Sequence, residues 1–211
     1  MEWDQAEDVE LLQAWRGGDQ RAGNTLLRRY FDSLYRFFAA KVEDEVEDLI
    51  QRTFLALVRH RDAIREEASF RAYMFTVARR EFYRYLRTRR RRRDPLDFGT
   101  VSLADLGTSP SAVVARRNDR ALLLDALRRI PVQLQIALEL HYWEDMSTAE
   151  IAAALEIPHG TAKSTLRRAR EHLRRALEDD VAAVPELARS LEDLDAWARS
   201  VRATERRGSS S

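Results

Sequence analysis

The sequence predicts an all-α protein of two small helical domains joined by a linker, with a C-terminal helical extension. Three observations carry this. Apolar residues recur at helical spacing along most of the 211 residues, and no segment alternates apolar and polar residues as a half-buried strand does. Seven Gly and five Pro are few, and the chain is rich in Ala, Leu, Arg and Glu, which favours helix. One stretch, 95–111, turns instead to Gly, Ser, Thr, Asp and Pro, the chemistry of a linker. The expected boundaries are 7–94 for the first domain, 95–111 for the linker, 112–178 for the second domain and 179–211 for the extension.

The first periodic stretch runs from Glu7 to Trp15 and stops at Gly17 and Gly18. Asp19 is placed to cap the next helix, in which Ala22, Leu26, Tyr30, Leu34 and Phe38 recur every four residues. A third helix, Glu45 to Arg59, has Val46, Ile50, Phe54 and Leu57 on one face and Asp48, Gln51 and Arg52 on the other. Ser69 caps a long helix reaching Arg92, with Phe70, Met74, Ala78, Phe82 and Tyr85 or Leu86 as its apolar stripe. Thr76, Arg80, Arg84, Arg87 and Arg91 trace its opposite side. Leu96, Phe98, Val101, Leu103 and Leu106 give the linker residues that can dock. Helical periodicity resumes near Ala112 and continues to Ile130. Pro131 suits the first position of the following helix, through Trp143, because its missing amide would be unpaired there anyway.

Ser147-Thr-Ala-Glu150 reads as a capping box: the serine oxygen accepts from the Glu150 amide while the glutamate reaches back. The helix it opens is short, with Ile151, Ala154 and Leu155 apolar, and Pro158 restarts the chain as a second helix. That second helix turns Ala162, Leu166 and Ala169 inward and Lys163, Ser164, Arg167, Arg168 and Arg170 elsewhere. Two short helices joined by a tight turn, the second basic on its outer side, describe a unit that enters a DNA major groove about 12 Å wide. A helical hairpin with a solvated charged face is the plainer alternative. Small residues at Gly160, Ala162 and Ser164 favour close approach to DNA.

Charge supports the same direction. The net charge is only +1, from 36 basic and 35 acidic residues, but it is unevenly spread. Nine Arg between Arg79 and Arg93 face only Glu81, and Lys163 with five Arg between His159 and Arg175 faces only Glu171. Acid gathers at Glu43 to Asp48 and from Glu178 to Asp195. Two separate basic segments are the footprint of a polyanion. There are no cysteines, which excludes disulfides and thiolate metal sites. No phosphate loop, metal cluster or nucleophile–base set is present, so an enzyme is not expected. His159 has no second ligand at a metal-binding spacing. The acidic N-terminus has no signal-peptide core, and no stretch approaches the ~20 apolar residues of a membrane span; a soluble, intracellular protein is expected.

The run from Ser147 to Arg170 resembles region 4 of the extracytoplasmic-function (group IV) sigma factors of bacterial RNA polymerase. Its Ile157-Pro-His-Gly-Thr-Ala-Lys-Ser164 and Arg168-Ala-Arg170 match that family's pattern. Asp48-Leu-Ile-Gln-Arg-Thr-Phe54 and Phe70-Arg-Ala-Tyr-Met-Phe-Thr-Val-Ala-Arg79 resemble two helices of its region 2, and the likeness spans about Glu7 to Ala176. It departs at Glu156, where the family usually has Gly, at Val58, often Trp, and at Arg80 and Arg84, often Asn and Asp.

The resemblance implies a cytoplasmic promoter-recognition subunit with core RNA polymerase and promoter DNA as partners, no cofactor, and by family habit an anti-sigma factor. Asp48, Gln51, Arg52, Phe54 and Leu55 would dock on polymerase. Tyr73, Arg79, Arg80, Tyr83, Arg84 and Arg87 would meet melted −10 DNA, which needs a cationic track and planar groups. The loop from Arg61 to Ala68 would hold a flipped base, the Arg89 to Arg93 run would meet phosphates, and Phe70, Phe75 and Phe82 are better read as core. Lys163, Ser164, Arg167 and Arg168 would face −35 base edges, with His159, Gly160, Thr161 and Arg170 on phosphates. In the extension, Leu187, Leu191, Leu194, Trp197 and Val201 among acidic residues suit intramolecular docking, a partner, or an extra packed helix. The rival expectation is a helix-turn-helix regulator of the same fold that does not engage polymerase; only the Asp48 to Leu57 helix argues against it.

Overall fold

A computed structural model describes residues 3–64, 69–89, 96–107 and 119–181. The described residues form nine α-helices and no sheet: α1 Asp8–Arg16, α2 Gln20–Arg29, α3 Phe31–Ala39, α4 Val46–His60, α5 Phe70–Arg89, α6 Asp119–Arg129, α7 Val132–Tyr142, α8 Thr148–Leu155 and α9 His159–Val181. Helices α1–α5 precede the segment 96–107 and α6–α9 follow it. The all-α expectation holds among the described residues: Ala22, Leu26, Leu34, Phe38, Val46, Ile50, Leu57, Phe70, Met74, Ala78 and Phe82 lie in the core, while Tyr30 and Phe54 are half-buried.

The expected single helix through Phe38 is instead two. The chain leaves helical geometry at Tyr30 (φ −104°, ψ 2°), so α2 ends there and α3 begins. The acidic start of α1 holds the break: Arg29 pairs with Asp8 at 2.5 Å and the Tyr30 hydroxyl donates to the same carboxylate. Burial first, and then Asp8, raise the Tyr30 phenol well above its ordinary pKa. The four-residue spacing survives because Leu26 and Leu34, on either side of the break, are both buried in one core.

Asp19 caps α2 as expected, accepting from the amides of Arg21 and Ala22 at 2.8 and 3.2 Å. One turn on, Gly23 lets the buried Trp15 ring lie directly on the α2 backbone; a β-carbon there would sit 2.4 Å from that ring. Gly23→Ala gains about 1 kcal/mol of helix propensity, and overpacking of about 1–3 kcal/mol opposes it. The expected result is a net loss, seen as a lower urea midpoint with unchanged slope; a raised midpoint would mean that Trp15 moves aside freely.

Pro131 and Pro158 each stand one position earlier than expected. Pro131 has an extended ψ of 135° and caps α7, its carbonyl accepting from the Gln135 amide at 3.0 Å. Pro158 likewise precedes α9 and accepts from Thr161 at 2.8 Å. A fixed φ near −65° suits either position, so the residue type alone does not separate them. Part of the expected linker, 96–107, is packed. The Phe98 ring stacks on Tyr83 of α5 at 3.8 Å, and Leu103 is fully buried. The carbonyls of Val101 and Phe98 accept from Val132 and Gln133, amides that the first turn of α7 leaves without intrahelical partners. The helices before and after this segment share one continuous core, from Leu11 to Leu177.

Candidate nucleic-acid and polymerase interfaces

The helix-turn-helix forms from α8 and α9. Both halves of the capping box are present at Ser147 and Glu150. The C-terminus of α8 closes in a Schellman arrangement: Glu156 donates to the Ala153 carbonyl at 3.1 Å and Ile157 to that of Ala152 at 3.0 Å. Glu156 therefore sits in the left-handed region (φ 56°, ψ 43°), where glycine is the unstrained residue. Ala162, Leu166 and Ala169 of α9 are buried against the unit, while Lys163, Ser164, Arg167 and Arg168 are exposed together on its outer side. His159 and Gly160 are exposed and Thr161 half-buried at the helix start. Arg170 differs from the rest. Its Nε donates to the Tyr142 hydroxyl at 2.9 Å, its Nη2 lies 3.0 Å from the His141 ring, and it braces α9 on α7.

The basic face of α5 is divided. Arg84 and Arg87 are exposed, the first paired with Glu81 at 2.9 Å and the second over the Phe98 ring. Tyr73 is half-buried, and Tyr83 is buried under Phe98. Arg79 is buried against α8: its Nε donates to the Ala154 carbonyl at 3.0 Å and its Nη2 meets Glu156 at 2.5 Å. Arg80 is exposed but pairs with the same carboxylate. These guanidiniums hold the Glu156 carboxyl below its ordinary range, Arg80 contributing most. Phe70, Phe75 and Phe82 are core. Arg61 to Ile64 form a tight turn ending in buried Ile64; 65–68 and 90–95 lie outside the described residues, as does the extension from 182.

The outer face of α4 makes a third surface. Gln51, Arg52, Asp48 and Leu55 are exposed, and Phe54 is half-buried. Asp48 and Arg52 form an ion pair at 2.6 Å along the helix. Beside them lies an apolar groove lined by Phe31, Ile50, Gln51, Phe54, Leu55 and Val58. Phe31, Leu55 and Val58 are three of the four large apolar side chains that stand exposed among the described residues. Sequence reasoning missed Phe31, which lies on a different helix, and took Val58 only as a departure from pattern.

Two family models match in order along the chain: Sigma-70 region 2 over residues 25–92 and Sigma-70, region 4 over 120–173. The chain belongs to the sigma-70 family. Curated relatives of this sigma factor include the RNA polymerase sigma-H factor of Pseudomonas aeruginosa, 27% identical over 82% of this chain and 95% of the relative. The ECF RNA polymerase sigma-E factors of Haemophilus influenzae (26%) and Escherichia coli K12 (27%) match over 83% and 80% of this chain, and 97% and 93% of their own lengths. This sigma factor is of that extracytoplasmic-function type.

Among solved structures, CnrH in complex with the cytosolic domain of CnrY shares the fold, with TM-score 0.63 and 23% identity over 82% of this chain and 98% of that one. RpoE in complex with the anti-sigma factor NepR from Bartonella quintana also shares it, with TM-score 0.54 and 23% identity over 72% and 94%. Region 2 holds α4 and α5, and region 4 holds the helix-turn-helix. Region 2 stands beside region 4 in one order, as an initiation factor requires and a simple DNA-binding regulator does not. No helix among the described residues is long and apolar enough to cross a membrane.

Proposed function

We propose that this sigma factor docks on core RNA polymerase through the α4 groove, reads duplex −35 DNA with the outer face of α9, and handles melted −10 DNA with the basic side of α5. It acts in the cytoplasm, without catalysis of its own, by directing the polymerase to promoters. The observation that carries the assignment is the common exposure of Lys163, Ser164, Arg167 and Arg168 on one side of a helix whose other side is core. Cations held outward on a rigid helix can reach base edges without first breaking internal pairs. Arg170 braces the helix from within. An anti-sigma factor is a second partner suited to the exposed α4 groove, and the Bartonella quintana relative is bound to one.

Arg168→Ala is expected to weaken binding to a promoter duplex by about 1–3 kcal/mol at one preferred base pair, if the guanidinium reads a guanine edge. Titration against duplexes substituted one base pair at a time measures this. A loss equal on all sequences would make Arg168 a phosphate contact instead. Run-off transcription with core polymerase on genomic promoters tests the function as a whole.

A further inference from the structure

The apolar groove is not made by α4 alone. Phe31, the first residue of α3, lines it beside Phe54, Leu55 and Val58 and stands 43% exposed. Where Phe31 stands is decided one residue earlier. Tyr30 both ends α2 and opens α3: its amide donates to the Leu27 carbonyl at 3.2 Å, and its carbonyl accepts from Leu34 at 3.0 Å. Its φ of −104° and ψ of 2° fall in the sparsely populated bridge between helix and strand. A residue stays there only when its surroundings fix it. The apolar period running through Leu26 and Leu34 otherwise favours an unbroken helix.

The fixing comes from the N-terminal segment. Asp8 opens α1, where a helix N-terminus favours an anion. Its two carboxylate oxygens take different partners, Oδ1 the Arg29 guanidinium at 2.5 Å and Oδ2 the Tyr30 hydroxyl. Arg29 also donates to the Ala6 carbonyl at 2.8 Å, and the Tyr30 ring lies against Phe70 of α5, centroids 5.6 Å apart. At the other end of α2, the Trp3 indole donates at 3.3 Å to Asp19, the residue that caps that helix. Both ends of α2 are thus strapped by residues that precede the 25–92 match to region 2.

We infer that Asp8 and Tyr30 are positioning residues for polymerase docking: by holding the break between α2 and α3, they set Phe31 into the α4 groove. The inference rests on the docking role given to that groove above. Neither residue lines the groove, so each acts through Phe31 rather than by touching polymerase. Affinity of the full chain for core polymerase tests this. Phe31→Ala should weaken it about tenfold, as expected for a partly exposed ring that is covered on binding. Tyr30→Phe deletes one hydroxyl and keeps the ring. It should weaken binding about fourfold, the loss expected if Phe31 is then in place about a quarter of the time. Added to Phe31→Ala, Tyr30→Phe should cost nothing further, because the side chain it positions is gone.

Asp8→Ala should act as Tyr30→Phe does and not add to it. Asp8→Asn, whose amide oxygen still accepts from the hydroxyl, should recover most of the affinity. A fluorine on the Phe31 ring reports its orientation without polymerase: one sharp resonance in the parent, a shifted or second one after Tyr30→Phe. An unchanged affinity in Tyr30→Phe, an unmoved resonance, or an equal loss with and without Phe31 each overturns the positioning role. Phe31→Ala binding like the parent overturns it too, and Leu55→Glu then separates the two readings. If Leu55→Glu alone weakens binding, the groove docks polymerase without needing Phe31; if it also binds like the parent, the groove is not the docking surface.

Discussion

Leu55→Glu is expected to lower affinity for core polymerase by about a hundredfold, or ~2.7 kcal/mol, while leaving folding stability within about 0.5 kcal/mol. Leu55 is 47% exposed and stands on α4 beside Phe54, with Val58 and Phe31 completing an apolar surface that region 2 does not cover. Covering a leucine fully is worth about 1.5–3 kcal/mol, and a carboxylate in its place adds the cost of desolvating a charge. In the free chain the glutamate is solvated, so the fold is indifferent to it. Fluorescence titration with core enzyme and urea unfolding of the free chain together measure both halves. Undiminished polymerase binding would remove α4 as the docking surface, and a large loss of stability would mean that Leu55 is core after all.

Local periodicity made most of the helices legible, because an apolar residue every three or four positions is set by the helix itself. The capping box at Ser147 and Glu150, the Asp19 cap and the outward face of α9 were legible for the same reason: each is decided within one or two turns. Tyr30 was not. Its break depends on Asp8, 22 residues earlier, and a period of four runs through a short interruption without a mark. The packing of 96–107 was hidden in a composition that resembles free linker, since its hydrogen bonds go to the first turn of α7.

The contacts between α5 and the end of α8 were the least legible part. Arg79 and Arg80 pair with Glu156 across 77 and 76 residues, and on a helical wheel they are simply exposed cations suited to DNA. The one local mark was a glutamate where a turn prefers glycine. Its backbone cost was readable from the sequence; the guanidiniums that offset it were not.

Removing either member of the Lys41–Glu139 pair, which joins region 2 to region 4, is expected to cost the packing of the two regions about 3–5 kcal/mol, far more than the exposed Arg80–Glu156 bridge between them. Lys41 is fully buried, donates to the Phe37 carbonyl at 2.6 Å and lies 3.8 Å from the Phe37 ring centre. Glu139 accepts from it and, through its other oxygen, from Gln135 at 2.9 Å. Glu139→Leu leaves a buried ammonium without its counter-charge, and the chain escapes that cost by separating its two regions and wetting Lys41. The loss is therefore capped by the docking free energy of the two regions and is read as opening, by pulsed electron resonance between labels at exposed Asn24→Cys and His172→Cys of this cysteine-free chain, before it is read as unfolding. Lys41→Met combined with Glu139→Leu buries no charge and should cost less than either single change; additive costs would show that the pair is not coupled.

The pH dependence supplies an independent sign. Burial lowers the Lys41 pKa and Glu139 opposes that shift. Between the lowered value and the ordinary lysine value the opened chain binds a proton that the closed chain does not, so closure strengthens as pH rises through that interval. Without Glu139 the opposition is gone and the interval extends further down. The Glu139→Leu chain should accordingly re-close as pH is raised toward the ordinary lysine value, while the Met–Leu double variant shows no such response. If the single variant stays open at every pH, the ammonium is not what forces the regions apart.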